Sequence, residues 1–242
     1  MEGLLDWKNY WIEFPKKFSE TDFAQQVQYT IRGKSIGDNA IAKIADGIIE
    51  DLAISRSDAV LDLCCGNGMF TVLIGSHCED IVGVDYSGPM INIANKYNKK
   101  LNIKYVESDA VDYLYNCVQS GRRFDKIFAS GAFQYFERDK GRALIKGMAQ
   151  ALDRDGKILL SGVPDARRKS GLYDTPSKRL RHIWRVLTRR EQIGVWWTEE
   201  AIRSICEEAN LACEFKDSRG QTSKPYRFDA ILSASAAGRP VR

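Results

Sequence analysis

The residues best placed to do chemistry gather between Ala59 and Asp85. The segment AVLDLCCGNGMF (Ala59–Phe70) passes from a nearly all-apolar run into Gly66-Asn67-Gly68, and a helix is expected from Met69. Apolar residues at nearly every position suit a strand buried on both faces. Glycines at such a turn allow a sharp reversal and let a ligand approach the backbone, while the helix start offers free N–H groups. A second apolar run, Ile81-Val82-Gly83-Val84, ends in the carboxylate of Asp85, 23 residues after Asp62. In nucleotide-binding folds an acid at this place accepts hydrogen bonds from ribose hydroxyls. Ligands of open parallel sheets bind outside the carboxyl ends of the strands, near the point where strand order reverses. The turn is therefore read as a small-molecule site.

Two ligands compete for it. A nicotinamide dinucleotide requires G-x-G-x-x-G/A, and Thr71 stands where the third small residue belongs. Asp62, four residues before Gly66, would also repel a pyrophosphate. S-adenosylmethionine has no phosphate, and its ammonium and sulfonium tolerate an acid, so the methyl-donor reading is preferred. VLDLCCGNG resembles the first motif of class I S-adenosylmethionine-dependent methyltransferases, an acid followed by x-G-x-G-x-G. Asp62 matches the acid, and Gly66 and Gly68 match the second and third glycines; Cys64 replaces the first. GVDYS (Gly83–Ser87) resembles the second signature, SDA (Ser108–Ala110) the third, and FDKIFASGAFQYF (Phe124–Phe136) the fourth. The resemblance covers roughly residues 55 to 163. It implies S-adenosylmethionine as cofactor, with Asp85 on the ribose and Asp109 near the adenine amino group. Cys64, Asn67, Tyr86, Ser87, Met90, Ala110 and Ser130 complete the cofactor positions that it suggests. Gln28, Arg32 and Gly33, from the N-terminal region, are assigned to the cofactor's carboxylate by the path of the chain.

The acceptor is less defined. The N/D-P-P-Y/F loop of nucleic-acid amine methylation is replaced by Ser130-Gly131-Ala132-Phe133-Gln134-Tyr135, and no Pro-Cys nucleophile occurs. Pro164 to Val195 carries nine Lys or Arg against three acids, a net of +6 in a chain of +4 overall. Such a segment after the fifth strand attracts an anionic acceptor, which arginine can clamp. Arg167, Arg168, Arg181, Gln134, Tyr135 and Tyr173 are the candidate acceptor residues, and Asp165 and His182 the candidate bases. The other reading of the segment is an amphipathic helix burying Leu180, Ile183, Trp184 and Leu187. A small, anionic acceptor methylated on oxygen or nitrogen is expected, with RNA or protein methylation, or cofactor binding without turnover, as alternatives. The aromatic N-terminus, the G-V-P-D turn and Gly194-Val195-Trp196-Trp197 add a weaker resemblance to bacterial methyltransferases of surface-glycan and natural-product pathways. Trp7, Tyr10, Trp11 and Phe14 could shield a sulfonium, whose charge aromatic faces attract.

The elements needed to position these residues follow from patterning. Strands are expected at Ile81–Val84, Ile103–Val106, Lys126–Ser130 and Lys157–Val163, alternating with helices near 69–77, 89–98, 110–119 and 138–152. This period implies an α/β, doubly wound, mostly parallel seven-stranded sheet of Rossmann-like type. A helix at Thr198–Asn210 and strands near Ala212–Lys216 and Phe228–Ser233 add an antiparallel C-terminal hairpin. The expected organisation is a helical N-terminal cap (1–58), a core (59–235) containing the basic insertion (164–195), and a tail (236–242). The 242 residues are 44% hydrophobic and 28% charged, too apolar for a disordered chain. No apolar run approaches the ~20 residues of a membrane span, and MEGLLDWKNYWIEF lacks the features of a secretory signal. A cytoplasmic protein without membrane partners is expected, and a net charge of +4 disfavours nucleic acid as a partner. Six cysteines without a C-x-x-C pair, and only two histidines, argue against a metal site.

Overall fold

A computed structural model describes residues 6–31, 33–188, 193–218 and 226–235. Seven strands form the main sheet: β1 (Ala59–Leu63), β2 (Asp80–Asp85), β3 (Ile103–Glu107), β4 (Phe124–Ser130), β5 (Leu152–Pro164), β6 (Leu211–Asp217) and β7 (Arg227–Ala234). Their order is β3-β2-β1-β4-β5-β7-β6. The first five run parallel, and β7 is antiparallel to both β5 and β6. The expected doubly wound sheet and its C-terminal hairpin are thus both present. Strand order reverses between β1 and β4, so their carboxyl ends flank a crevice.

Helices cover both faces. α1 (Trp7–Glu13), α2 (Phe23–Gln26) and α3 (Asp38–Leu52) precede the sheet; α4 (Met69–Ile74), α5 (Gly88–Tyr97), α6 (Ala110–Ser120) and α7 (Arg138–Ala151) are its crossovers. The 3.6-residue period of α3 buries Ile41, Ile44, Ala45, Ile48 and Leu52. With α4 and α5 this stripe forms the core on one face of the sheet. The other core joins Leu114 of α6, Leu144, Ile145 and Met148 of α7, and the inner sides of the strands. α6 is delimited as its sequence directs: the Asp109 carboxylate accepts the Val111 N–H at 3.0 Å, and Gly121 at φ +75° ends the helix. The N-terminal region is less helical than its periodicity suggested. A two-rung antiparallel ladder pairs Thr30–Ile31 with Lys34–Ser35 between α2 and α3.

The basic insertion folds as a 3-10 turn (Ala166–Arg168), α8 (Lys169–Leu172) and α9 (Pro176–Leu187), after which the chain returns to α10 (Glu199–Glu208). Its base is clasped by backbone bonds: Ala166 N donates to Trp197 O at 2.7 Å, and Trp197 N to Pro164 O at 2.9 Å. One expectation about it fails. Leu180, Ile183, Trp184 and Leu187, read as a buried stripe, are exposed, and no residue of α9 is buried. Periodicity locates an apolar stripe on a helix; the way the helix is seated decides what the stripe faces.

Candidate functional site

A cavity of about 340 Å³ opens at the carboxyl ends of β1, β2, β3 and β4. Its floor comes from the sequence motifs. Cys64 and Gly66 follow β1, Asp85 and Tyr86 end β2, Asp109 and Ala110 start α6, and Ser130 and Gly131 end β4. Met90 of α5 also lines it. The wall is the N-terminal segment, with Trp7 and Trp11 of α1 and with Tyr29, while Tyr135, Glu137 and Lys140 close the far side.

The β1 turn requires its glycines. Gly66 (φ +54°) and Gly68 (φ +75°) lie in the left-handed region, and a side chain at 68 would run into the Tyr105 ring and hydroxyl. Cys64 adopts the same kind of conformation, φ +60°, at the place where the motif has a glycine. Burial and the carboxylates of Asp85, Asp62 and Asp109 hold its thiol well above the ordinary range, so it stays protonated.

Asp85 is fixed from behind. Its Oδ2 accepts the Gly66 N–H and its Oδ1 the Ser87 N–H, both at 2.9 Å. Burial pushes its pKa up to about 6 against the effect of these donors. At neutral pH it is a carboxylate facing the cavity. Asp62, in β1, does not line the cavity; it is buried and accepts the Thr71 hydroxyl at 2.6 Å. Burial pushes it up to about 8, and the nearby charge of Asp85 acts in the same direction.

Other predicted cofactor residues hold the scaffold. Asn67 is buried; its amide donates to Phe23 O and Gln26 Oε1, and its Oδ1 accepts the Met69 N–H. The Tyr86 hydroxyl donates to Trp7 O at 2.8 Å and the buried Ser87 hydroxyl to Trp11 O at 3.1 Å. These two bonds pin α1 over the site. Gln28 donates to the Tyr10 hydroxyl, Gly33 O accepts from Gln25 Nε2, and neither residue lines the cavity. Arg32 lies outside the described residues.

The predicted acceptor and base residues scatter. Tyr135 lines the cavity, and its enclosed surroundings push its hydroxyl up to about 12, leaving a phenol that donates rather than a phenolate. The Gln134 side chain is buried and receives the guanidinium of Arg227, also buried, while its backbone carbonyl accepts the Val195 N–H. Asp165 is buried as well: it accepts from the Arg167 N–H and pairs with the guanidinium groups of Arg167 at 3.3 Å and Arg168 at 3.1 Å. Arg167 also reaches Glu199 and Glu200, and Arg168 reaches Asp217. Tyr173 stacks on His182 with ring centroids 4.0 Å apart. Apart from Tyr135, none of these lines the cavity, nor does Arg181. Asp165, Arg167 and Arg168 sit after the right strand, but their charges are consumed among themselves and in joining the insertion to α10 and β6.

The carboxylates and cations of the lining do suit a cation. Asp6, Asp85, Asp109 and Glu137 face Lys8 and Lys140, and Lys8 is already paired with Asp109 at 3.3 Å. A ligand carrying a sulfonium and an ammonium gains from this balance and from the aromatic walls. The buried indole N–H groups of Trp7 and Trp11 have no hydrogen-bond partner among the described residues. Sequence reasoning missed Tyr29, Glu137 and Lys140 as lining residues. The last two immediately follow the fourth motif, where extending that motif by one turn would have reached them; Tyr29 had no such signal.

Strand order, motif positions and the cavity at the switch point are those of the class I S-adenosylmethionine-dependent methyltransferase fold, and the cofactor is S-adenosylmethionine. Residues 60–156 match the family described as "Methyltransferase domain". An uncharacterised methyltransferase of Schizosaccharomyces pombe is 26% identical over 186 residues, covering 72% of this chain and 67% of its own length. A 23S rRNA (uracil(1939)-C(5))-methyltransferase, RlmD of Francisella tularensis subsp. novicida, is 29% identical over 126 residues, 44% of this chain but 28% of that protein. Magnesium protoporphyrin IX methyltransferase from Synechocystis PCC 6803, crystallised with S-adenosylhomocysteine, superposes with a TM-score of 0.66 at 16% identity. That match covers 94% of this chain and 97% of the other, a likeness of fold. No helix among the described residues is long and apolar enough to cross a membrane.

Proposed function

We propose that this methyltransferase acts on an oxygen or nitrogen atom of a small molecule held between α1 and the 130–140 segment. The observation that carries this reading is α1, fastened across the cavity by the Tyr86 and Ser87 hydroxyls. A cover of this kind suits an acceptor that enters whole and is then enclosed. When bound, S-adenosylmethionine supplies a methyl group on a sulfonium, ready for in-line displacement. Asp85 holds its ribose, Asp109 and Ala110 flank its adenine, and Gly66 lets it approach the backbone. The aromatic wall excludes water, and Tyr135 donates a hydrogen bond to the acceptor, so that alignment provides much of the acceleration.

Arg167, Arg168 and Asp165 fall outside this reading because they neutralise one another. An anionic group on the acceptor is addressed by Lys140. Carboxylated and phosphorylated intermediates of surface-glycan and natural-product pathways are the first acceptors to screen with labelled donor, with RNA as the comparison favoured by the rRNA methyltransferase match. Calorimetric titration with S-adenosylhomocysteine tests the cofactor half. Micromolar binding is expected for the wild type, with a loss of about 100-fold or more for Asp85→Ala, because a buried acceptor shared by two hydroxyls is removed. Unchanged binding by the variant would overturn the ribose assignment.

A further inference from the structure

α9 is seated with its apolar side away from the protein. Leu180, Ile183, Trp184 and Leu187 recur at the spacing of one helical face and are 68%, 53%, 52% and 78% exposed. The opposite side turns inward at His182 and Arg185, which are half-buried. His182 is half-buried against Tyr173, and Arg179 donates to Tyr173 O at 3.0 Å. The helix is well started by Pro176 and by the Thr175 side chain, which accepts the Lys178 N–H. Soluble proteins seldom leave a contiguous apolar stripe open to water.

The charges say what covers it. α9 contains Lys178, Arg179, Arg181 and Arg185 and no acid. By the helical repeat, Arg179 and Arg181 lie on opposite borders of the stripe. Apolar residues that include a tryptophan, bordered by cations, form the pattern of a helix lying in a bilayer interface, with the aliphatic groups among acyl chains and the cations at anionic headgroups. A second copy of the chain would bring two such cationic helices together and meet repulsion. Nucleic acid suits the helix less well, because the exposed stripe of Leu180, Ile183, Trp184 and Leu187 separates Arg179 from Arg181 and would find no apolar partner on a phosphate backbone. We propose that α9 docks on the surface of an anionic lipid bilayer without crossing it. Because the insertion leaves the carboxyl end of β5, docking sets the cavity end of the sheet toward the membrane.

The proposal goes beyond the acceptor reading and is tested separately from it. The full chain is co-sedimented with vesicles of equimolar phosphatidylglycerol and phosphatidylcholine, and with vesicles of phosphatidylcholine alone. Wild type is expected to partition onto the anionic vesicles, and the double variant Leu180→Ser, Leu187→Ser to lose roughly tenfold or more of that partition. Arg179→Gln with Arg181→Gln is expected to lose several-fold, and added salt to weaken binding. S-adenosylhomocysteine affinity is measured on every variant, and its retention shows that the fold is intact. No sedimentation with anionic vesicles, or equal partition onto both kinds, would overturn the proposal. So would a concentration-dependent dimer that the leucine variant abolishes, since a second copy would then cover the stripe.

Discussion

Asp62 and Asp85 stand about the same turn with different surroundings, and the difference sets how the protein responds to pH. Asp62 is pushed up to about 8 when folded, whereas an unfolded aspartate titrates near ~3.9. The folded state therefore holds this proton more tightly, and the stability it contributes is fully present below about pH 4 and is lost as pH rises through about 8. Asp62→Asn keeps an acceptor for the Thr71 hydroxyl and removes the titration. Its melting temperature is expected to gain on that of the wild type as pH rises from 5 to 8, as read by scanning calorimetry; a constant offset would contradict the shift. Asp85, pushed up to about 6, adds a contribution of the same sign over a narrower window that ends near pH 6. At this scale the sequence was legible where a motif fixed both residue type and place, as for Asp85, Asp109 and Gly66. It was misleading for Asp165, because a carboxylate past a strand end reads alike whether it meets a ligand or two arginines from the next turn.

At the scale of elements, the alternation of strand and helix was readable because the central strands β1, β2 and β4 are buried over most of their length on both faces and each crossover helix buries one. The orientation of α9 was not readable, since its apolar stripe has the same spacing whichever way it faces. The attachment of α1 was equally hidden: it depends on Tyr86 and Ser87, which belong to a motif read as contacting the cofactor, while their hydroxyls reach the Trp7 and Trp11 carbonyls. Tyr86→Phe removes one of these anchors and leaves the ring in place. The dissociation rate of S-adenosylhomocysteine is expected to rise about three- to tenfold, the worth of one hydrogen bond, with a melting temperature within ~2 °C of the wild type. Stopped-flow displacement measures the first quantity, and an unchanged rate would mean that α1 does not gate release.

For the whole molecule, the two cores on either face of the sheet couple the cavity to global stability, since β1, β2 and β4 belong to both the site and the cores. S-adenosylhomocysteine at about 100 times its Kd is therefore expected to raise the melting temperature by roughly 5–10 °C, from ~2.7 kcal/mol of linkage in a chain of this size. A thermal shift assay reads this directly, and the absence of a shift would show that the ligand does not discriminate folded from unfolded chain. Charge is segregated on the same scale: residues 164 to 195 sum to +6, leaving −2 for the rest. The molecule is in consequence an electric dipole, with α9, which holds four cations and no acid, as the basic arm of an almost neutral body. In a field from a negatively charged surface it feels a torque before it feels contact and arrives arm first, within a screening length of ~8 Å at physiological salt. Its orientation on arrival is thus set by the distribution of charge along the chain, ahead of any side chain finding a partner.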